Sequence, residues 1–308
     1  MILTVTLNTA LDLTYRVPAL TPHASHRVTQ VIERPGGKGL NVARVLAALG
    51  YDTVVTGFAG GATGEVLHTH LAELPLTDAL VPTDGPTRRT VAVVDTATGD
   101  TTQLNEPGPT VTPAEWSAFT GRYTELLTGA EAVALCGSLP PGIHVGAYAE
   151  LIRIARGADV PVLLDTSGEP LRRGIAARPD LVKPNADELA QLTGSREPHR
   201  ATRDARRRGA HTVVSSLGPE GMLAATPDGL WLAAPPAAVR GNPTGAGDSA
   251  VAGLLSGLVD GLPWPDRLTR AVALSAATVL SPVAGEFDRT AYEELLTRVK
   301  VTEPAEAA

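Results

Sequence analysis

A glycine-rich stretch late in the chain holds the residues best suited to chemistry. Residues 241–249 read GNPTGAGDS and lead directly into an apolar segment with helical periodicity. Glycines one residue apart let the backbone approach a ligand closely and turn its N–H groups toward it. The first turn of the predicted helix aims its unpaired N–H groups and the positive end of its dipole into the same loop. This combination predicts an anion site, with phosphate as the expected ligand.

Asp248 is the carboxylate inside this loop. A carboxylate beside a phosphate site is electrostatically costly, so we expect it to have a chemical role. That role is general base, taking a proton from a hydroxyl that attacks phosphorus. The alternative is structural, because Asp at a helix start is commonly a cap or a partner of the helix dipole.

Other nucleotide motifs fit this chain less well. Residues 245–250 also match the dinucleotide fingerprint, but they lie late in the chain after the proline-rich residues 233–239 rather than after a first strand. A phosphate-binding P-loop sequence, GxxxxGK[ST], does not occur in the chain.

A second glycine loop, GGKGLN at residues 36–41, also leads into an apolar helical pattern. Its glycines allow close backbone approach, Lys38 offers a charge for phosphate, and Asn41 can bind hydroxyls from the first turn. The structural alternative is an ordinary helix start with Asn41 in solvent. Two such loops in one chain indicate a site for two anionic ligands or for one bridging ligand.

Three further segments have both a binding and a structural interpretation. Arg88 and Arg89 start a predicted strand, where a guanidinium can bind phosphate bidentately, although most such pairs are solvated. Asn185 and Glu188 have the spacing of a capping box, and the same pair suits the water ligands of a Mg²⁺ that bridges nucleotide phosphates. Ser216 ends a predicted strand before a glycine turn, a common arrangement that also suits nucleotide binding.

Composition limits the class of protein. The chain has 308 residues, of which 43% are hydrophobic, so it can form one large α/β domain or one domain with an insert. A net charge of −7 argues against nucleic-acid and membrane-surface partners. The single cysteine, Cys136, fits a reducing compartment, and neither a signal-peptide pattern nor a long apolar run is seen. We therefore expect a cytoplasmic protein.

Alternating strand and helix patterns predict an α/β fold with a doubly wound, mostly parallel sheet and helices on both faces. A first strand at residues 2–7 is followed by Asn8 and Asp12, where such sheets present ligand-binding groups. Strands near 13–17, 27–32, 90–95 and 101–105 break the alternation and predict a small β-sheet lid. We expect a core of residues 1–12, 36–86 and 108–308 and a discontinuous lid of residues 13–35 and 87–107. The core elements expected from residue 113 are helices 113–128, 144–156, 169–177, 186–193 and 199–208 and strands 131–136, 160–165, 180–183 and 211–216.

These segments together resemble the PfkB/ribokinase family of carbohydrate kinases over essentially the whole chain. The two signature regions of the family match residues 36–50 and 241–254 in order and separation. Two positions near the expected sugar pocket depart from the family pattern: Thr9, where proline is frequent, and Thr90, where asparagine is frequent. Further matching segments are TVTLN at 4–8, NEPGP at 105–109, GSLP at 137–140 and LVKPN at 181–185.

The resemblance implies a ribokinase-like fold, ATP as phosphoryl donor with Mg²⁺, and homodimerisation through the β lid. It implies phosphorylation of a ketohexose monophosphate at a primary hydroxyl, with fructose 1-phosphate as the first expectation and fructose 1,6-bisphosphate as the product. Tagatose 6-phosphate and fructose 6-phosphate are the alternative acceptors. A non-catalytic sugar-phosphate sensor is the alternative class, but it would be expected to have lost the base or the glycines.

The resemblance also implies a role for each matching residue. Asp248 would be the catalytic base, and the backbone N–H groups of Gly245, Ala246 and Gly247 would form the anion hole. For the acceptor, it places Asp12, Gly37 and Asn41 on sugar hydroxyls, Lys38 and Arg88 on the existing phosphate, and Ser138 in the same pocket. For the nucleotide, it places Lys183, Asn185, Ser216, Gly218, Glu220 and Gly221 near ATP, with Asn185 and Glu188 holding Mg²⁺ through water.

Overall fold

The computed structural model describes residues 1–281 and 283–303. Residues 304–308, the end of the predicted core, lie outside the described residues. The elements of the first part of the chain are β1 (Ile2–Thr6), β2 (Ala10–Val17), β3 (Gln30–Gly36), α1 (Lys38–Ala48), β4 (Thr53–Ala59), α2 (Gly61–Leu71), β5 (Thr77–Asp78), β6 (Val81–Pro82), β7 (Arg88–Asp95) and β8 (Thr101–Asn105).

The predicted alternation of helix and strand from residue 113 is confirmed. Helix α3 begins with a capping box between Thr112 and Glu115 and has proline at its first position, as its sequence favours. The remaining elements are α3 (Pro113–Leu127), β9 (Ala132–Cys136), α4 (Ala147–Gly157), β10 (Val162–Asp165), α5 (Gly168–Ala176), β11 (Leu181–Val182), α6 (Ala186–Thr193), α7 (Pro198–Arg207), β12 (Thr212–Ser216), β13 (Met222–Thr226), β14 (Gly229–Ala234), α8 (Ala246–Val259), α9 (Trp264–Val279), α10 (Arg289–Leu296) and β15 (Lys300–Thr302).

The large sheet is mostly parallel, as predicted. Its order is β15-β14-β13-β12-β11-β10-β9-β1-β4-β5, with β6 also pairing with β4. Within this order, all pairs of strands between β12 and β5 are parallel. Beyond β12, the strands β13, β14 and β15 continue the sheet in antiparallel pairs. Every residue of β1 and β9 is buried, because helices cover both faces. The carboxyl ends of the parallel strands therefore open onto one common edge.

Two apolar layers support this sheet. On one face, Phe119 and Tyr123 of α3 pack with Tyr148 of α4. On the other face, α1, α8, α9 and α10 form the second layer. Helices α8 and α9 approach closely, since a Cβ added at Gly253 would lie 2.6 Å from the Cα of Ala271. This packing fixes α8, and with it the glycine loop that precedes it.

A separate sheet has the order β3-β2-β7-β8. Strands β7 and β8 form the predicted hairpin. Strand β3 begins at Gln30 and runs to Gly36, later than the predicted strand at 27–32, because its pairing with β2 continues as far as Ala10. Pro35 is tolerated there because β3 is an edge strand. That this sheet acts as a lid domain of residues 13–35 and 87–107 stays a prediction.

The last third of the chain contains elements for which the sequence patterns led to no prediction. These are strands β13–β15 and helices α9 and α10. Among the described residues, none of the helices combines the length and the apolar character needed to cross a bilayer.

Candidate active site

The two predicted glycine loops meet at one cleft of about 500 Å³, between the carboxyl edge of the large sheet and the small sheet. They lie about 200 positions apart in sequence, yet Asn41 Nδ2 donates a hydrogen bond to Asp248 Oδ2 at 2.9 Å. The cleft is therefore built from both ends of the chain. The predicted site residues that line it are Asp12, Gly37, Lys38, Asn41, Arg88, Lys183, Asn185, Glu188, Ser216, Gly245, Gly247 and Asp248.

Asp248 faces this cleft and is 7% exposed. The N-cap of α8 is Gly245, so the Asp248 carboxylate is not the cap and bonds instead to Asn41. Burial raises the pKa of Asp248 to about 6, an effect that Lys38 partly offsets. A carboxylate with this pKa is largely ionised at neutral pH and is a stronger base than an exposed aspartate.

The loop before α8 has a backbone that requires glycine. Gly245 has φ +84°, and a Cβ there would lie 2.9 Å from the Cα of Ala284. The loop is therefore pressed against the segment at Ala284 and Gly285. The N–H of Gly247 belongs to the first turn of the helix, and Gly247 lines the cleft, so the turn can present a donor to an anion there.

Asp165 is a site residue that the sequence analysis missed. It ends β10, is 1% exposed and lies 3.4 Å from the Nζ atoms of both Lys38 and Lys183. Burial alone would raise the pKa of Asp165, but the charges of Lys183 and Lys38 outweigh it and hold the pKa below its usual value. A signal was present, since an aspartate at the carboxyl end of a buried strand lies at the edge where such sheets bind ligands.

The small sheet presents a row of polar side chains to the cleft. Asp12 lies within β2, not in the loop after β1, and its partners in register are Arg34 on β3 and Thr90 on β7. Thr90 pairs in turn with Asn105 on β8, and all four residues line the cleft. The Thr90 hydroxyl donates to Asp12, and burial raises the pKa of that carboxyl. Thr90, which departs from the family pattern, therefore contacts Asp12, an expected sugar-binding residue.

Arg88 and Arg89 occupy different surroundings. Arg88 lines both the cleft and a small cavity of about 200 Å³, and its Nε donates to the Asn8 carbonyl at 3.2 Å. Ser138 lines the same small cavity and accepts a hydrogen bond from Asn8 Nδ2 at 3.1 Å. Arg89 is 54% exposed and pairs with Glu106. One guanidinium of the pair therefore faces the two cavities, and the other is solvated.

A second cavity of about 700 Å³ lies on the other side of the glycine loop. It shares Asn185, Ser216 and Gly247 with the cleft, so the two spaces are adjacent. Glu220 is exposed and is not among the residues lining the second cavity. The predicted site residues Gly218, Gly221 and Ala246 line it together with the apolar side chains of Met222, Val239, Val272, Ala276 and Val279.

Asn185 and Glu188 form the capping box that their spacing allows. Asn185 Oδ1 accepts from the Glu188 N–H, and Glu188 Oε2 accepts from the Asn185 N–H, both at 2.8 Å. Both residues also line the cleft, and the capping box uses only the Oε2 atom of the Glu188 carboxylate. The described residues contain no group of three or more acidic, histidine or cysteine side chains suited to a metal. This donor set fits a Mg²⁺ held mainly through water and phosphate oxygens rather than by a protein cage.

Proteins similar to this chain include sugar-phosphate kinases. A family profile described as pfkB family carbohydrate kinase matches residues 4–291. The chain is 40% identical to 1-phosphofructokinase of Rhodobacter capsulatus over 98% of each chain, and 30% identical to tagatose-6-phosphate kinase of Staphylococcus epidermidis over 98% of this chain and 100% of that protein. It matches phosphofructokinase-2 from Escherichia coli in complex with fructose-6-phosphate with a TM-score of 0.88 and 30% identity, over 96% of this chain and 98% of that one. The chain belongs to the pfkB family of carbohydrate kinases and has its ribokinase-like fold.

Proposed function

We propose that this kinase transfers the γ-phosphoryl group of ATP to a primary hydroxyl of a ketohexose monophosphate, with fructose 1-phosphate as the acceptor and fructose 1,6-bisphosphate as the product. The observation that carries the proposal is the buried Asp248 carboxylate, which Asn41 holds at the junction of the two glycine loops. The choice of acceptor is supported by the 40% identity to 1-phosphofructokinase over nearly the full chain. A sensor without catalysis would have no need to retain this base.

In the proposed reaction each of these groups has a separate role. Asp248 accepts the proton of the acceptor hydroxyl while that oxygen forms a bond to the γ-phosphorus. The bond between the γ-phosphorus and the bridging oxygen breaks, and ADP leaves with the electron pair. The first-turn N–H group of Gly247 stabilises charge on the transferring group, whereas the N–H of Ala246 already donates to the Pro243 carbonyl at 3.2 Å. The Nζ atom of Lys183, about 3.5 Å from the position of a Cβ on Gly247, supports this donor.

The acceptor would lie between the small sheet and α1. Asp12 and Asn41 would bind hydroxyls, while Arg88, Lys38 and Ser138 would hold the phosphate that the sugar already carries. A fructofuranose has a CH₂O arm on each side of its ring, so a pocket that binds one arm as a phosphate presents the other for attack. The same pocket chemistry suits fructose 6-phosphate and tagatose 6-phosphate, which remain the alternative acceptors.

The nucleotide would occupy the second cavity, with its phosphates directed toward Gly247. Asn185 and Glu188 would hold Mg²⁺ through water, and the ion, when bound, neutralises charge on the nucleotide phosphates. Val31 and Leu104, on the small sheet, are 54% and 59% exposed and support the expected homodimer through that sheet. The homodimer, the role of Glu220 near ATP and the cytoplasmic location stay predictions.

A coupled assay of ADP release tests the acceptor. We expect fructose 1-phosphate to give the highest kcat/KM among fructose 1-phosphate, fructose 6-phosphate, tagatose 6-phosphate and unphosphorylated fructose. Arg88→Ala should raise KM for the sugar phosphate by about a hundredfold, since a charged hydrogen bond to phosphate is worth roughly 2–3 kcal/mol. Arg89→Ala is the matched control and should leave KM unchanged. A preference for the neutral sugar would contradict the phosphate-binding role of Arg88.

The pH dependence of kcat/KM reports the base. Below pH 6 the Asp248 carboxyl is mostly protonated and cannot accept a proton, so activity should fall with decreasing pH around a midpoint near 6. The hydrogen bond from Asn41 lowers the pKa of Asp248, so Asn41→Leu should move the midpoint upward. A profile that is flat between pH 5 and pH 7.5 in the wild type would exclude Asp248 as the essential base.

A further inference from the structure

Glu286 is shared by two arginines that come from different parts of the molecule. Arg34 lies on β3 of the small sheet, and Arg44 lies on α1 of the core. The Nη1 atom of Arg34 and the Nη2 atom of Arg44, the latter at 3.2 Å, both donate to Glu286 Oε1. We call these three residues the Glu286 bridge. It joins the small sheet to the core beside the cleft, which both arginines line.

Charge explains why the carboxylate is needed there. Burial lowers the pKa of Arg44, and the nearby charge of Arg34 lowers it further, whereas Glu286 raises it. Two guanidinium groups that contact the same carboxylate oxygen repel each other, and the negative charge of Glu286 offsets this repulsion. Without Glu286, we expect Arg34 to separate from Arg44 and the end of β3 to move away from the core.

On the core side, the Glu286 bridge contacts the segment that supports the glycine loop. Arg44 Nη1 donates to the Ala284 carbonyl at 3.2 Å, and Ala284 packs against Gly245. A Cβ added at Gly285 would lie 3.0 Å from Asn41 Oδ1, the amide oxygen of the residue that bonds to the base. The backbone of this segment therefore touches both the anion loop and the partner of Asp248.

On the side of the small sheet, Arg34 is the end of the polar row that includes Asp12. Arg34 and Asp12 are partners in register, and neighbouring strands of one sheet hold such partners about 5 Å apart. The Asp12 carboxylate has its other neighbour in Thr90, which donates to it. The contact between Arg34 and Glu286 thus connects the row that contains Asp12 to the segment that packs against the glycine loop.

We propose that Glu286 is a positioning residue that brings the acceptor-binding row of the small sheet into register with the anion loop and the base. This inference rests on the proposed function, because it concerns the acceptor side of the same site. Exposed ion pairs add little to global stability, and Glu286 is 46% exposed. The role of the bridge is therefore geometric, and its loss affects binding of the sugar phosphate more than folding.

Glu286→Gln tests the proposal, because it keeps the shape of the side chain and removes its charge. We expect KM for the sugar phosphate to rise about tenfold, with KM for ATP and the urea midpoint of unfolding nearly unchanged. Arg34→Ala should have the same effect, and the double variant should be no worse than either single one, since both remove the same contact. Glu125→Gln, which breaks the exposed pair of Arg122 and Glu125 on α3, is the matched control and should change none of these values.

An equal rise of both KM values, additive effects in the double variant or an unchanged KM for the sugar phosphate would overturn the proposal. Hydrogen–deuterium exchange of the ligand-free protein provides a readout that needs no activity. Exchange of the amides of β3 and of residues 283–286 should accelerate in Glu286→Gln and not in Glu125→Gln. If the wild type phosphorylated none of the sugar phosphates tested, the proposed function would fail, and the exchange result would still decide whether the bridge positions the small sheet.

Discussion

Asp248→Asn should lower kcat by about a thousandfold, within the range that a positioned general base contributes. Asparagine has the same shape but cannot accept the proton of the attacking hydroxyl. The change also places two amide groups against each other, because Asn41 donates to the carboxylate in the native site. The loss should therefore appear in kcat, while the affinity for ATP, measured by calorimetry, stays nearly unchanged.

Asp260→Asn is the matched control for this variant. Asp260 lies at the opposite end of the same helix, where it accepts hydrogen bonds from Tyr51 and Arg270, and it is not among the residues lining the cleft. We expect its kcat to equal that of the wild type. Full turnover of Asp248→Asn would show that the proton is taken by another group.

Asp165→Asn should lower both stability and activity. Lys183 is 4% exposed and has its ion-pair partner in Asp165, so the change leaves a buried ammonium group without that partner. Breaking a buried ion pair by removing one partner costs about 3 kcal/mol or more. Lys38 is 41% exposed and can turn toward solvent, so most of the loss should come from Lys183. Urea unfolding measures the change in the free energy of unfolding.

The double variant Asp165→Asn/Lys183→Met distinguishes the charge effect from a packing effect. Removing the unpaired ammonium group of Lys183 should recover much of the lost stability, because this charge is then no longer buried. Activity should remain low, because the ammonium group of Lys183 lies close to Gly247 of the glycine loop and is lost in this variant. A single variant Asp165→Asn with an unchanged free energy of unfolding would mean that Lys183 reaches water and that the ion pair contributes little.

These two aspartates show different relations between sequence and site. The position of Asp248 in the cleft could be predicted because local features surround it: glycines one residue apart, followed by an apolar helical stripe, predict a helix start suited to an anion. Asp165 carries no such marker. It is an aspartate at the end of a strand, and what distinguishes it is its ion pairs with Lys38 and Lys183, which come from other parts of the chain. Pairing between distant positions leaves no periodic pattern in a single sequence.

The same distinction applies to the fold. Periodicity and turn chemistry predicted α6 at its observed bounds of Ala186–Thr193 and the hairpin of β7 and β8. Strand β3 lies later in the chain than the strand predicted at 27–32, because its pairing with β2 continues through the turn signal of Pro35 and Gly36. Strands β13–β15 add an antiparallel edge to a parallel sheet, so they fall outside the alternation of strand and helix on which the prediction relied.

By itself, the sequence determined the type of chemistry, since both glycine loops, the aspartate within the second of them and the alternating core depend on neighbouring residues and their spacing. Only the tertiary structure decided how the site is assembled. It separated Arg88 from the solvated Arg89, showed that Asn185 and Glu188 cap α6 while facing the cleft, and joined Arg34 to Glu286 across 252 positions. The physical reason is that backbone propensities act over a few residues, whereas charges and hydrogen bonds act through space between elements that the fold brings together.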